Sequence, residues 1–450
     1  MGDTVKLNYL KTRDDHRPVK FYMQSDNSLK LCDDSEVSWL SKDKEFELKD
    51  LRTRIEPWLT SLFQSEHLSA LVGSGLTHAI HKIATGENAS GMDLKPISVY
   101  KEKLNKAAIL SAEKSGRKTP NVEDQIRVAN ELLSGMEILG YKRADNLRKE
   151  IEQIIEKFSH AILENEHRIV HAEQNKCEEA FNYLTNFLMS FASRTGTRDR
   201  LNVFTTNYDR LIEAGAELAG LYLLDRFVGT LTPIFRSSRL NVDMHYNPPG
   251  IRGEPRYLEG IVRFTKLHGS LDWIQVGDFI RRIGLPFGAK SIAPFLEVLG
   301  IKTSARQLMI YPNAAKDLET AGFPYVELFR DFAAAICRPN VTLVTYGYSF
   351  GDEHINRVIL DMLTIPSTHL VIISYDDPLG RIMDIYNKTG RASQISLLVG
   401  PVLADIRNLT EYFLPKSAID KATFRMSELL RRRFGTEVNA IPDTPNEEGI

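Results

Sequence analysis

The chain has 450 residues, of which 42% are hydrophobic and 26% are charged, and its formal net charge is −2. This length suits two or three domains, or one core with a large insertion, and the composition is that of a soluble protein with ample material for a packed interior. The near-zero charge gives no global reason to expect nucleic-acid binding.

The first half of the chain begins with short strand-like pieces and then becomes helical. VKFYM at 19–23 and LKLC at 29–32 are strand-like, a helix follows around 51–65, and LSALVG at 68–73 is the next strand. No proline occurs between Pro120 and Pro233. Apolar residues there repeat at helical spacing, and they are Ile151, Ile154, Ile155, Phe158 and Ile162, then Phe181, Leu184, Phe187, Leu188 and Phe191. We expect these stripes to pack a helical bundle or a subunit interface.

After Thr197 the pattern changes to strand–turn–helix units. The strand-like runs are LNVFTT, LYLLDRFV, IVRFTKL, RQLMIYP, NVTLVTYGY, HLVIISY and QISLLV. Helical stretches follow several of them, and near-continuous apolar strands that alternate with amphipathic helices favour a parallel sheet. The predicted fold class is therefore α/β, a Rossmann-like doubly wound parallel sheet with a helical insertion subdomain.

These patterns divide the chain into four parts. Residues 1–65 form N-terminal strands and a helix that pack on the core. Residues 66–96 and 197–415 form the Rossmann-like core, and residues 97–196 form the helical insertion. Residues 416–450 form a C-terminal helix and a disordered tail.

The cysteines and the apolar runs exclude several classes of protein. Cys32, Cys177 and Cys337 are each isolated by more than a hundred residues, so the sequence encodes neither a zinc ribbon nor a disulfide framework. We expect no metal. No uncharged apolar run approaches the roughly 18–20 residues that span a bilayer, and the start has no signal-peptide pattern. We therefore expect a soluble, cytoplasmic protein without a membrane partner.

Two glycine-bearing turns follow strand-like runs. Gly73-Ser74-Gly75 comes after LSALVG, where glycines let the backbone approach a pyrophosphate and the next helix offers free N–H groups. Gly347-Tyr348-Ser349-Phe350-Gly351-Asp352 comes after NVTLVT, with hydroxyl and N–H groups for the same edge of the sheet. Either turn has a simpler explanation, because Gly73 to Gly75 can be only a turn and Asp352 can be only a helix cap.

Two further turns carry polar side chains suited to catalysis. In Thr205-Thr206-Asn207-Tyr208-Asp209, Asp209 is the better cap for the following helix, which leaves Asn207 to face a ligand with an amide that donates and accepts. In Leu267-His268-Gly269-Ser270, the imidazole suits proton transfer near neutral pH. Each of these two turns could instead have only a structural role, since helix caps and turn hydrogen bonds use the same residue types.

The order of these four motifs resembles the sirtuin superfamily. Sirtuins run from a glycine turn through an asparagine–aspartate motif to LHG and a last glycine turn, and here the series is GSG, TTNYD, LHGS and GYSFGD. The resemblance covers about residues 66–400 apart from the insertion. It is strongest to the sirtuin-like domains of bacterial antiphage defence, namely Thoeris effectors and the sirtuin-like partners of HerA-type translocases.

Two departures from the protein-deacylating sirtuins favour the defence branch. Deacylases carry a zinc ribbon with paired cysteines, which this chain lacks, and a GIPDFR-like stretch where this chain has GLTHAIHKIATG. The relatives of the defence branch hydrolyse NAD+. The resemblance therefore implies an NAD+ glycohydrolase that acts in abortive infection and takes NAD+ as its substrate.

The resemblance also implies roles for individual residues. Asn207 positions the nicotinamide ribose and the attacking water, and His268 is the general base. The pyrophosphate is expected to bind to Gly73, Ser74, Gly75, Thr77, Gly347 and Ser349, and Thr206 is also expected to bind the dinucleotide. Asp209 orients Asn207 or the nicotinamide side, and Asp376 accepts from the adenosine ribose hydroxyls.

Partners and alternatives follow from the same comparison. Because such an enzyme must stay silent until infection, we expect a homo-oligomer or a partner to activate it, a HerA-type ATPase first and a short prokaryotic Argonaute second. The alternatives are an NAD- or ADP-ribose-binding scaffold without catalysis, and an NAD-dependent deacylase. Arg431-Arg432-Arg433 suits the C-terminal dipole of a helix, so direct nucleic-acid binding is not expected.

Overall fold

The computed structural model describes most of the chain. The described residues are 6–13, 15–35, 37, 39, 45–90, 93–114, 119–193, 199–237, 243–246, 256–298 and 322–416. The strand predicted at RQLMIYP, most of the predicted C-terminal segment and the three arginines at 431–433 lie outside these residues. Among the described residues, no helix combines the length and apolar character needed to cross a membrane.

The strands are numbered in chain order. They are β1 Leu7–Lys11, β2 Val19–Met23, β3 Leu29–Leu31, β4 His67–Val72, β5 Leu201–Thr205, β6 Tyr222–Leu224, β7 Phe227–Val228, β8 Ile234–Phe235, β9 His245–Tyr246, β10 Arg256–Tyr257, β11 Ile261–Lys266, β12 Trp273–Val276, β13 Phe279–Arg282, β14 Val341–Tyr346, β15 His369–Ser374 and β16 Ile395–Val399. Each strand predicted within the described residues has a counterpart in this series.

The helices are also numbered in chain order. They are α1 Leu48–Phe63, α2 Ser74–Thr85, α3 Lys101–Lys114, α4 Val122–Ile138, α5 Ala144–Val170, α6 Gln174–Ala192, α7 Leu211–Leu218, α8 Ala293–Val298, α9 Tyr325–Ile336, α10 Glu353–Leu363, α11 Arg381–Thr389, α12 Pro401–Ala404 and α13 Ile406–Asn408. A single turn of π-helix, Leu409–Phe413, ends the described chain.

A large central sheet organises the fold. Its strand order is β3-β2-β1-β16-β15-β14-β4-β5-β11-β6. The strands from β16 to β6 are parallel, and β1, β2 and β3 add an antiparallel edge beside β16. Smaller sheets, β12-β13-β8-β7 and β10-β9, lie outside it. The predicted α/β class with a Rossmann-like parallel sheet is confirmed.

Both faces of the sheet are covered, as a doubly wound fold requires. Successive residues of a strand point to opposite faces, and the two hydrophobic clusters divide the strands accordingly. Val344 and Ile373 pack with α1, α2, α6 and α7 on one face. Leu343 and Ile372 pack with α9, α10 and α11 on the other. This burial on two sides explains why the strands are apolar at nearly every position.

The helices between β4 and β5 do not behave as one unit. Helices α3, α4 and α5 share a separate core, in which Ile151 and Phe158 pack with Leu271 and Ile274. Helix α6 instead covers the central sheet, where the rings of Phe187 and Tyr346 are 4.8 Å apart. The apolar stripe of α5 therefore packs the bundle that we predicted, whereas the stripe of α6 belongs to the main core.

The register of four neighbouring strands sets the position of the motifs. Tyr346 pairs with Val72, Val72 with Thr205, and Thr205 with Lys266, so β14, β4, β5 and β11 end at one level. The chain runs from β4 toward β5 and β11 on one side, while β14, β15 and β16 lie on the other. The reversal of strand order between β4 and β14 is a topological switch point, where ligands of open α/β sheets bind.

The histidine that begins β15 gives the fold a predicted dependence on pH. His369 Nε2 lies 2.8 Å from Ser396 Oγ, and the Trp58 indole is edge-on to the imidazole at 5.4 Å. Burial, assisted by Lys11, lowers the pKa of His369 from 6.5 to about 4. The unfolded chain therefore takes up a proton before the fold does. We expect stability to fall as the pH drops from 6.5 toward 4, by at most about 3 kcal/mol because water still reaches part of the ring.

Thermal midpoints recorded between pH 7.5 and pH 4.5 test this expectation. His369→Gln keeps a side-chain amide for Ser396 but does not titrate, so the difference between wild type and variant should shrink as the pH falls. Substitution of the exposed His160 by glutamine is the matched control. Parallel curves for wild type and His369→Gln would show that His369 does not contribute.

Candidate functional site

A cavity of about 530 Å³ lies at the level where the four strands end. The predicted site residues that line it are Gly73, Ser74, Thr77, Thr206, Asn207, Asp209, His268, Gly347 and Ser349. They come from the turns after β4, β5, β11 and β14. The four sequence motifs therefore converge on one cavity, with the asparagine and the histidine both on its wall.

The two glycine turns pack against each other backbone to backbone. A Cβ atom on Gly73 would lie 2.5 Å from the Gly347 carbonyl oxygen, and one on Gly75 would lie 2.5 Å from Gly347 Cα. Gly347 itself has a φ of +59°, which favours glycine. Gly75 N–H donates to the Gly347 carbonyl at 3.0 Å, and Gly73 N–H donates to the Tyr346 carbonyl at 2.9 Å. These glycines are thus required for the contact between the turns.

The contact between the turns determines which of the predicted phosphate-binding residues still have a hydrogen-bond donor for a phosphate. The amides of Gly73 and Gly75 are already bonded to backbone carbonyls, and Gly75 does not line the cavity. Ser74 is exposed to the cavity at the first position of α2, and Ser349 lies on the opposite turn. A pyrophosphate at this helix N-terminus would therefore meet mainly the serines, together with the positive end of the α2 dipole.

Asn207 belongs to a chain of buried hydrogen bonds. Its Nδ2 donates to the Gly73 carbonyl at 3.0 Å and to Thr77 Oγ1 at 3.1 Å. Thr77 Oγ1 in turn donates to Asp209 Oδ2 at 2.6 Å. The Asn207 amide protons are therefore committed inside the protein, which leaves Oδ1 to accept from a hydroxyl or a water. Thr77 fixes Asn207, and it is not placed as a free phosphate ligand.

Asp209 has two structural partners besides its place on the cavity wall. Its Oδ1 accepts from Leu211 N at 3.0 Å, which stabilises the start of α7, although the N-cap residue is Arg210 and not Asp209 as the sequence predicted. The buried Lys266, whose Nζ donates to Glu213 Oε1 at 2.9 Å, also donates to the Asp209 carbonyl. The TTNYD turn is thereby held from both sides, and this rigidity suits a residue that must orient a ligand.

His268 faces the cavity and contacts a carboxylate. Its Nε2 lies 3.1 Å from Asp352 Oδ2, and its side chain is 24% exposed. The Tyr208 ring lies 6.3 Å from the imidazole, centroid to centroid. Ser270, two residues further along, is fully buried and its Oγ donates to the Tyr208 carbonyl at 3.5 Å. Its role is therefore to stabilise the turn.

The turn that carries Asp352 is fixed by its own hydrogen bonds. Phe350 has a φ of +53°, a left-handed conformation that is rare for a bulky residue. Asn356 Nδ2 donates to the Phe350 carbonyl at 2.9 Å, and Tyr348 OH donates to Asn356 Oδ1 at 3.0 Å. These bonds hold the turn in a strained form, so the position of Asp352 beside His268 is well determined.

Comparison with known families adds one result. Residues 201–394 match the SIR2-like domain. This match supports a sirtuin-like protein with chemistry related to NAD, and SIR2-like domains bind NAD+. A search of curated proteins found no match to the chain.

The SIR2-like match and the cavity overlap but do not coincide. The match includes Asn207, His268 and the turn at 347–352, whereas Gly73 to Thr77 and the helices α3 to α6 precede it. The structure joins the two parts, since Gly73, Ser74 and Thr77 line the same cavity as the matched residues. The N-terminal glycine turn and the matched residues therefore form the wall of the cavity together.

The insertion supplies a further wall that the sequence did not reveal. Glu123 at the start of α4, together with Phe158 and Glu166 of α5, lines the cavity. Tyr208 OH donates to Glu123 Oε1 at 3.1 Å, which joins the TTNYD turn to α4. Glu166 forms a buried ion pair with Arg210, the residue after that turn. These partners are more than 40 residues apart, so no local pattern indicates them.

Two predicted residues lie away from the cavity, and one cation was not predicted. Asp376 is exposed after β15 and is not among the lining residues; its carbonyl accepts from Ser374 Oγ at 2.7 Å. Gly75 is the other. Arg381, at the start of α11, lines the cavity close to Gly351 and brings a positive charge to its wall. No group of three or more metal-ligating side chains occurs within the described part of the chain.

Proposed function

We propose that this protein is an NAD+ glycohydrolase that releases nicotinamide from NAD+. The observation that carries the proposal is the position of Asn207 and His268, which reach the wall of one cavity from adjacent parallel strands beside two glycine turns. The SIR2-like match supports NAD+ as the ligand. A module that only bound NAD+ would not need an oriented imidazole at this place.

The chemistry requires little acid catalysis, because nicotinamide leaves as a neutral molecule from a cationic ring. The bond between its nitrogen and ribose C1′ breaks with both electrons going to nitrogen, and positive charge develops on the ribose. Water then attacks C1′ and loses a proton to His268, which gives ADP-ribose. The carboxylates of Glu123, Asp209 and Asp352 line the same cavity and favour positive charge there.

Asn207 has the second role in this mechanism. With its amide protons bonded to Gly73 and Thr77, its Oδ1 accepts from a ribose hydroxyl or from the attacking water. Asn207→Ala removes that acceptor and also releases Thr77. We expect kcat/KM for NAD+ cleavage to fall by about 10²-fold, since positioning contributes effects of this size. Free nicotinamide, separated by chromatography after incubation with NAD+, is the measurement.

A matched control separates positioning from general disruption. Asn8→Ala removes another buried asparagine, whose Oδ1 accepts from Val402 N at 2.9 Å; it lies on β1, which β16, β15 and β14 separate from β4, and it does not line the cavity. Its effect should be on stability and not on the cleavage rate per folded molecule. Asn207→Ala with unchanged turnover would remove Asn207 from the mechanism.

We further propose that cleavage serves antiphage defence by depleting cellular NAD+. The support is the resemblance of the four motifs to the sirtuin-like defence proteins. Activation then requires self-assembly or a partner, with a HerA-type ATPase preferred and a short prokaryotic Argonaute second. We propose action in the cytoplasm, where NAD+ is available.

One experiment tests the activity and its activation together. NAD+ cleavage is assayed with and without the product of the neighbouring gene, and particle size is measured in parallel by light scattering. Nicotinamide release without any acylated peptide supports the glycohydrolase. Release only with an acylated peptide would establish a deacylase, and binding of NAD+ without release in every assembly state would establish a binding module.

A further inference from the structure

The turn after β14 contains a carboxylate whose two oxygens have different partners. Asp352 Oδ1 accepts from the backbone N–H groups of His354 at 2.9 Å and Ile355 at 3.3 Å, which caps α10. Oδ2 lies 3.1 Å from His268 Nε2. The Asp352 side chain is only 8% exposed, so water does not readily replace the imidazole at Oδ2.

We infer that Asp352 is the positioning residue of the proposed reaction, and that it selects the tautomer of His268. An ionised carboxylate only accepts hydrogen bonds, so the Nε2 that faces it must carry the proton. Neutral His268 then keeps its lone pair on Nδ1, the nitrogen that is left to accept a proton from water. The same carboxylate stabilises the imidazolium that forms in that step.

This inference rests on the proposed function for its kinetic consequences, but the tautomer is a property of the protein alone. Asp352→Asn is a sharp test because asparagine caps helices as well as aspartate does. Its amide N–H, however, donates toward Nε2, which places the proton on Nδ1 and removes the lone pair that the reaction needs. The substitution thereby separates the role toward His268 from the role toward α10.

Asp405→Asn is the matched control. Asp405 also sits at a helix start, where its Oδ1 accepts from Arg407 N at 3.0 Å, but it does not line the cavity. We expect Asp352→Asn to lower kcat by about 10- to 100-fold with little change in KM, and Asp405→Asn to leave both unchanged. Thermal midpoints should be similar for the two variants, because each keeps its cap.

Nitrogen NMR of histidine-labelled protein reads the tautomer without any turnover, with His268→Ala assigning the signals. The expected result is the Nε2–H form in wild type and the Nδ1–H form in Asp352→Asn. If wild type releases nicotinamide but Asp352→Asn keeps its rate and its tautomer, the inference is overturned while the function stands. If wild type releases none in any assembly state, with or without the product of the neighbouring gene, the function fails, and an unchanged tautomer in Asp352→Asn would still overturn the inference.

Discussion

His268→Ala is expected to lower kcat for NAD+ cleavage by about 10³-fold, within the range that general bases contribute. The substitution removes the imidazole that would take the proton from water. Binding of NAD+ should persist, because Ser74, Ser349 and Arg381 approach the cavity from other turns. We therefore expect kcat to change much more than KM.

The fold should tolerate this change. The imidazole is partly exposed on the cavity wall, where it lies beside Asp352 and has the tilted Tyr208 ring 6.3 Å away between centroids. His160→Ala, on the exposed side of α5, is the control for loss of a histidine. Nicotinamide release and the thermal midpoint are measured for both variants. Turnover by His268→Ala within a factor of a few of wild type would mean that another group is the base.

The sequence predicted the parts of this site that depend on local order. Apolar strands followed by glycine or polar turns indicated a parallel sheet, and the ends of parallel strands meet at one edge. Asn207 and His268 were predicted for that reason, and the register of β5 and β11 places them together. The roles of Asp209 and Asp352 at helix starts were also visible, since each carboxylate accepts from backbone N–H groups that lie no more than three residues along the chain.

The sequence could not show which side chains form hydrogen bonds with residues far away along the chain. The bond between His268 and Asp352 spans 84 residues, and that between Tyr208 and Glu123 spans 85. For the same reason, two residues predicted to bind the dinucleotide do not line the cavity in the structure. Gly75 belongs to a turn with the glycines and serine typical of phosphate binding. Its amide instead donates to the Gly347 carbonyl, and only the packing of the two turns reveals this. Asp376 follows a strand as predicted, yet it is exposed and does not line the cavity.

Arg210→Met is expected to lower the free energy of unfolding by about 3–5 kcal/mol, the usual cost of leaving one member of a buried ion pair alone. The side chains of Arg210 and Glu166 are 6% and 2% exposed. The guanidinium also donates to the carbonyls of Leu285 and Pro286. One residue therefore ties the TTNYD turn to α5 and to the loop after β13. Its loss leaves a carboxylate in the core with one backbone N–H as its remaining partner.

A double variant shows how much of the lost stability comes from the unpaired Glu166 carboxylate and how much from the lost contacts of the Arg210 side chain. Glu166→Leu combined with Arg210→Met removes both charges, and we expect it to recover most of the stability lost in Arg210→Met. Arg407→Met breaks an exposed pair with Glu179 and should cost less than about 1 kcal/mol. Urea unfolding followed by fluorescence measures all three. If the double variant were as unstable as Arg210→Met, the hydrogen bonds from Arg210 to the carbonyls of Leu285 and Pro286 would be its main contribution to stability.

The double variant also tests the contribution of α5 to substrate binding, because Glu166 lines the cavity. If the double variant is fully stable, a change in its KM for NAD+ reports the loss of the Glu166 carboxylate from the cavity wall and not a loss of folded protein.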